Sequence, residues 1–288
     1  MPPAGRVRAR RHLDRGGVKA APFDYLRARS PAEVVETLAA DEGAKVIAGG
    51  QSLAPLMALR LARPTLLVDI EDLHLDTVAV ENDGLRIGAG TTHRTLERHA
   101  TVAQAAPLLR EAASLIGYPA IRVRGTIGGS LAHADPAAEL PAALVALGAS
   151  VVAVGPAGER VIPAADLATG FLTTTLEPTE LLVEIRLPAA RRGSGAAFCE
   201  WAPRAGDFAV AGIAVVVERN PQGVCAAVHA AACGVGSTAR DCSEAFAGVI
   251  GERHARDSLL RDVAGRFDHE LLGLLAARAL HRALERAA

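Results

Sequence analysis

The chain has 288 residues, 50% hydrophobic and 22% charged, with a formal net charge of −1 at pH 7. That balance excludes a chain disordered throughout, and the near-neutral charge excludes a global basic field for nucleic acid. Aromatic residues are only 3%, too few for ring-lined base or sugar clefts, and no apolar run reaches the ~18–20 residues of a transmembrane span.

The length suits about two domains, or three small ones. Met1 to Gly17 carries Arg6, Arg8, Arg10, Arg11 and Arg15 with almost no large apolar residue, and is expected to be a disordered basic tail. Arg10-Arg11 is not followed by the apolar stretch of a twin-arginine signal. Order is expected from Val18, with Phe23 and Tyr25 as the first packing groups. Ser30-Pro31-Ala32-Glu33 predicts a capped helix start, with Val34, Val35 and Leu38 on its apolar face and Gly43 ending it. Lys45 to Ala48 predicts a buried strand and Gly49-Gly50-Gln51-Ser52 a turn. Leu53 to Leu61 returns to helical spacing, and Thr65 to Ile70 predicts another strand.

Leu85 to Ala89 is strand-like, Thr91-Thr92 opens a short helix, and Pro107 to Ile116 is an amphipathic helix. A second glycine turn is expected over 122–130, then a helix from Asp135-Pro136 through Leu140, Leu144 and Leu147, and a strand at Val151 to Val154. Successive strands are expected at Leu181 to Leu187, Ala196 to Trp201, Ala209 to Val217 and Val224 to Ala232. Helical pieces follow over 240–286, the last with Leu271, Leu274, Leu275 and Leu284 at helical spacing. Strands followed by helices predict a separate α+β unit from about residue 190.

No GxSxG, HExxH, Walker A or GxGxxG motif is present, and the nine histidines are scattered. No catalytic side chain and no metal site is therefore assigned. Cys199, Cys225, Cys233 and Cys242 form no CxxC pair and are expected to be buried, inert thiols. Two glycine pairs remain, Gly49-Gly50 and Gly128-Gly129, each followed by serine and then leucine, with Gln51 inserted in the first. Glycine lets backbone N–H groups approach an oxyanion, and serine adds a donor. Two such segments in one chain suit one pyrophosphate held between them, although a tight strand-to-helix turn also uses glycine.

The sequence Val46-Ile47-Ala48-Gly49-Gly50-Gln51-Ser52-Leu53, followed by Arg60-Leu61-Ala62-Arg63-Pro64 and Leu67-Val68-Asp69-Ile70, resembles the FAD-binding medium subunit of molybdenum hydroxylases. This is the carbon monoxide dehydrogenase and xanthine dehydrogenase type. The stretch from Pro119 to Pro141, centred on Arg124-Gly125-Thr126-Ile127-Gly128-Gly129-Ser130, agrees with it, as does Arg204-Ala205-Gly206-Asp207-Phe208-Ala209. The resemblance covers about residues 19–235.

The resemblance implies an α+β fold in which FAD lies between a small α/β unit (18–75) and a middle α+β unit (76–188). A C-terminal unit (189–288) with an antiparallel three-stranded sheet and helices follows. It implies that Ala48, Gly49, Gly50, Gln51, Ser52 and Leu53 wrap the pyrophosphate, opposed by Thr126, Gly128, Gly129 and Ser130. Glu139 matches an acid that bonds a cofactor hydroxyl. Ile116, Leu182, Asp207 and Phe208 match positions beside the flavin ring. Cys199-Glu200-Trp201 stands where some relatives have a lysine, and the match fades after residue 240, so a shortened C-terminal unit is expected.

The family reading makes the chain one part of a cytoplasmic electron chain. It implies a molybdopterin-containing large subunit, a 2Fe–2S small subunit and a dimer of heterotrimers. The rival readings are a stand-alone vanillyl-alcohol-oxidase-type flavoprotein and a flavin-free structural subunit. No histidine or cysteine lies in a flavin-linking motif, so FAD is expected to be non-covalent. Denaturation of the flavin-loaded protein should release the flavin to the supernatant; yellow colour retained by the precipitate would contradict this.

Overall fold

The computed structural model describes residues 7–8, 19–81, 84–190 and 192–287. The first sheet is formed by β1 (Val7–Arg8), β2 (Asp24–Arg27), β3 (Ala44–Ile47) and β4 (Leu66–Asp69). Its order is β1-β2-β4-β3, with β4 parallel to both β2 and β3 and β1 antiparallel on β2. Helix α1 (Pro31–Ala40) joins β2 to β3, and α2 (Leu53–Ala58) joins β3 to β4. The start of α1 follows from its sequence. Ser30 Oγ accepts the Glu33 N–H at 3.2 Å, and Val34, Val35 and Leu38 are buried. The Glu33 carboxylate reaches back to the Arg29 N–H at 2.8 Å, one residue before the cap. Helix α2 ends earlier than its spacing predicts, and Arg60 beyond it takes a left-handed φ of 59°. Strand β2 was not among the expected elements. Apart from Val7–Arg8, the expected disordered tail lies outside the described residues; those two depart from the expectation by pairing, Val7 opposite Tyr25.

The middle of the chain supplies β5 (Val78–Glu81), β6 (Gly84–Gly88), α3 (His93–Arg98), α4 (Ala100–Ala105), α5 (Pro107–Leu115), α6 (Pro119–Arg122), α7 (Ile127–His133) and α8 (Glu139–Ala146). Then follow β7 (Ser150–Gly155), β8 (Gly158–Pro163), α9 (Ala164–Leu167), β9 (Ala168–Gly170), β10 (Thr173–Thr174) and β11 (Leu181–Pro188). An antiparallel sheet of order β5-β6-β11-β7-β8 carries the helices, whose Leu108, Leu109, Leu140 and Leu144 fill one core with Ile87 and Ile185. Two expectations are corrected here. Gly128-Gly129 is not a turn but the first turn of α7, because Thr126 caps that helix. Asp135-Pro136 does not open α8: Asp135 Oδ1 takes the Ala137 N–H at 2.9 Å in a local turn, and the helix begins at Glu139.

The last sheet has order β12-β13-β14-β15, all antiparallel: β12 (Ser194–Trp201), β13 (Ala211–Arg219), β14 (Cys225–Cys233) and β15 (Arg240–Asp241). The expected three strands thus gain a two-residue edge strand. Ala197, Cys199, Ile213, Val215 and Val217 face α10 (Asp257–Ala264) and α11 (Glu270–Arg286) in one core. Phe198, Ala214, Val216, Ala231 and Cys233 point the other way, into the core of the middle helices. Both faces of β13 are therefore covered, which explains its near-continuous apolar run. On α11 the buried stripe uses Leu272, Leu275 and Leu284, while Leu274 is 60% exposed, against the expected stripe.

One carboxylate ties these two parts together. Glu111 on α5 accepts the Phe198 N–H at 3.0 Å and a hydrogen bond from Arg286 at 2.9 Å, and also pairs with Arg282. Burial pushes this carboxyl up, but the Arg286 and Phe198 hydrogen bonds and both guanidinium charges outweigh burial and hold it below its ordinary range. Glu111→Ala is expected to cost about 2 kcal/mol, since it leaves the Phe198 N–H without its acceptor and takes the carboxylate from Arg282 and Arg286, which keep only backbone carbonyls and a thiol. The lowered value means this contribution is present above the unfolded carboxylate pKa and is lost as pH falls through the folded one. Urea unfolding should show a wild-type advantage at pH 7 that shrinks in acid.

Candidate functional site

The first glycine segment lies at the C-terminal end of β3. Gly50 has φ +72°, a left-handed conformation that side chains resist. It turns the chain into α2, whose first backward bond runs from the Ala54 N–H to Gly50 O at 3.1 Å. Among the described residues no hydrogen bond uses the N–H groups of Gly49, Gly50, Gln51, Ser52 or Leu53. Gln51 Nε2 closes the loop by donating to Gly49 O at 3.2 Å. Consecutive unused N–H groups around a left-handed residue form a concavity suited to an anion.

The second segment meets the first directly. A methyl group on Gly49 would lie 1.8 Å from the Arg124 carbonyl oxygen and 3.0 Å from Gly125 Cα. Only glycine at 49 allows this backbone-to-backbone approach. Behind it, Thr126 Oγ1 accepts the Gly129 N–H at 3.1 Å, and the Gly128 N–H is donated to Ala89 O at 2.9 Å. Ile127 N–H goes to Thr91 O at 3.0 Å and Ser130 N–H to Thr126 O at 3.0 Å. The two glycine segments thus differ. The first offers free donors, whereas the second spends its amides on its own architecture. Gly128 is needed for packing, since a Cβ there would sit 2.6 Å from Ala89 Cβ. Gly129 is exposed, and a Cβ on it would meet only the Thr126 hydroxyl, at 2.8 Å.

The third motif packs on the turn that precedes α6. Arg122, itself buried, donates to Ile116 O at 3.0 Å and Gly117 O at 2.9 Å and pairs with Glu97 at 3.1 Å. That fixes the turn carrying Ile116. Gly206, φ +87°, packs on this turn: a Cβ there would lie 3.1 Å from the Tyr118 ring. Asp207 and Phe208 follow it, and Phe208 is 72% exposed, so it is not a core residue. Exposed Tyr118 and Trp201 flank the same motif, with Val210 N–H bonded to Trp201 O at 3.0 Å.

Leu182 and Glu139 are placed differently. The Leu182 side chain is buried in the middle core, opposite Ala153 on β7. Glu139 begins α8 and is buried. Burial, with the nearby Glu200 and Asp135 charges, pushes its carboxyl up to about 8, so it is protonated at neutral pH. Neither shares a hydrogen bond with the glycine segments. Cys199, Cys225 and Cys233 are buried and Cys242 half-buried, all free thiols. Among the described residues no group of His, Cys, Asp and Glu is arranged to hold a metal ion, and no helix is long and apolar enough to cross a membrane.

Residues 21–190 match the family described as the FAD binding domain in molybdopterin dehydrogenase. The chain belongs to this family. It is 46% identical over 230 residues to the 6-hydroxypseudooxynicotine dehydrogenase complex subunit alpha of Paenarthrobacter nicotinovorans, spanning 79% of this chain and 78% of that one. It is 37% identical over 279 residues to the carbon monoxide dehydrogenase medium chain of Afipia carboxidovorans, spanning 92% and 96%. The solved carbon monoxide dehydrogenase of Hydrogenophaga pseudoflava contains a chain that matches with a TM-score of 0.88 at 35% identity, over 93% of this chain and 99% of that one. That coverage overturns the expected shortening of the C-terminal unit. The molecule is an FAD-binding oxidoreductase subunit of the molybdenum-hydroxylase family.

The free amides and the glycine cradle fit a dinucleotide's pyrophosphate. Gly49→Ala should force the two segments apart and weaken FAD binding by about tenfold or more. Gly50→Ala should do the same through the left-handed strain, about 1–2 kcal/mol. Gly129→Ala should have the smallest effect of the three. Flavin-to-protein absorbance ratios after gel filtration, and FAD titration of the apoprotein, give the ranking.

Proposed function

We propose that this chain holds FAD where residues 48–53 meet residues 124–130, accepts electrons from a 2Fe–2S subunit and delivers them to an external acceptor. The observation that carries this reading is the run of unused N–H groups from Gly49 to Leu53, closed by the Arg124–Gly125 backbone. Ala48 to Leu53 would grip the pyrophosphate. Thr126, Gly128, Gly129 and Ser130 would form the opposite wall, contributing shape and the capped end of α7 rather than free backbone donors.

FAD, when bound, supplies the electron-carrying chemistry. The protein's own residues bind, orient and tune. Arg122 fixes the Ile116–Gly117 backbone where the ring would rest. Asp207 and exposed Phe208 would stand at the ring's edge, and the Leu182 backbone would lie beneath it. Glu139, protonated at neutral pH, would donate to a cofactor hydroxyl. No acid–base side chain is assigned to catalysis.

The assembly would add a molybdopterin-containing large subunit and the 2Fe–2S small subunit, doubled into a dimer of heterotrimers in the cytoplasm. The relatives' names, a complex subunit alpha and a medium chain, support a multi-subunit setting. Residues 18–75 and 76–188 would be the two lobes around FAD, with 189–288 bracing the second. Reconstitution tests the reading. The flavin-loaded chain alone should reduce no acceptor with any hydroxylase substrate, and should restore substrate-to-acceptor transfer when added to both partner subunits. Turnover by the purified chain alone would overturn it.

A further inference from the structure

His93 is a buried histidine to which the FAD reading gives no role. Its ring packs against the backbone of the second motif at Gly125 and Thr126. A Cβ on Gly125 would lie 2.9 Å from both Cε1 and Nδ1 of the ring, so glycine at 125 is what lets the ring close against the backbone. Three contacts then lock the segment to the start of α3. His93 N–H donates to Gly125 O at 2.8 Å, His93 Nε2 lies 3.0 Å from Thr126 O, and Thr92 and Thr126 form a β-bridge. The Thr126 oxygen is a carbonyl and can only accept, so Nε2 carries the proton. Nδ1 is then the bare nitrogen, buried and without a partner.

We infer that His93 is the positioning residue that holds Arg124-Gly125-Thr126 against Gly49, and that it does so only as the neutral Nε2–H tautomer, so acid opens the FAD cradle through this ring. The inference rests on FAD occupying that cradle. The geometry gives the reason. Protonation would place a new N–H at Nδ1 where no acceptor faces it, and a positive charge in a buried site beside the Arg122 guanidinium. The charged groups around the ring are Arg122 on α6 and its partner Glu97 on α3, whose carboxylate is already engaged by Arg122. Burial first, and Arg122 second, push the ring down to about 4, against the opposing pull of the Thr126 hydrogen bond. A histidine lowered in the closed form stays neutral there while an opened form takes up a proton below about 6.5. Closure is therefore fully favoured above that value and is progressively lost as pH falls toward 4.

Two substitutions separate the hydrogen bond from mere filling of space. In His93→Gln the side-chain amide can replace Nε2–H toward Thr126 O but cannot titrate. In His93→Leu the volume remains and the Thr126 carbonyl loses the ring's hydrogen bond, keeping only the Ser130 N–H. FAD affinity of the apoproteins is measured by quenching of flavin fluorescence between pH 4.5 and 8, with urea midpoints as a check on folding. Wild type should bind FAD at pH 7.5 and weaken steadily below pH 6.5. His93→Gln should bind within about threefold of wild type at pH 7.5 with a flattened acid limb, whereas His93→Leu should bind about tenfold more weakly or worse at every pH. Equal affinities and equal acid limbs in all three proteins would overturn the inference, as would equal losses in both variants. If His93→Leu fails to fold, the glutamine variant decides alone: a flattened limb supports the inference and an unchanged limb overturns it. Failure of wild type to bind FAD at pH 7.5 would overturn the cradle reading and this inference with it.

Discussion

The candidate site depends on the contact between Gly49 and the Arg124–Gly125 backbone. The loop after β3 and the loop between α6 and α7 meet there with no side chain between them, at a distance where any Cβ would collide with a carbonyl oxygen. Everything around the contact keeps it in place. On one side, β3, parallel to β4, delivers Gly49; against the expected buried strand, only its Ala44 is buried, with Lys45 exposed and Val46 and Ile47 half-buried. On the other, the Thr126 cap and the bonds to Ala89, Thr91 and His93 leave the second segment almost no freedom. Rigid backing is what makes an anion cradle effective, because free N–H groups that must first be ordered lose much of their affinity to entropy.

The two glycine motifs look alike in sequence yet do different work. In the first, glycine serves conformation and approach, and the donors remain available. In the second, glycine serves packing against Ala89 and His93, and the donors are consumed. A phosphate would therefore be gripped mainly from one side and walled in from the other. The division also explains why the exposed position Gly129 is the most tolerant of the glycines in the site.

Farther out, the third motif packs on the Gly117–Tyr118 turn, and the C-terminal sheet that carries it is braced by Glu111. The bracing carboxylate spans three elements: α5, β12 and α11. The apolar ring edge at Tyr118, Trp201 and Phe208 stays exposed on this braced surface.

Much was legible in the sequence. Ser30 and Glu33 announced α1, short apolar runs between turns announced β11 to β14, and the two glycine pairs suited a pyrophosphate, because capping, burial and backbone approach each demand particular residue types at short range; the cofactor itself came with the family resemblance of the three motifs. Other features were set at long range. Strand β2, the two-residue β15 and the early end of α2 exist because neighbouring strands and loops receive them, not because their own residues insist. Gly128-Gly129 became helix rather than turn when Thr126 took the cap, and α8 waited for Glu139 because Asp135 bonded its own backbone. Most of all, His93 was one scattered histidine in the sequence. Its role behind Gly125 arises from residues far apart in the chain brought within hydrogen-bond reach, a distance that local pattern does not encode and only tertiary packing fixes.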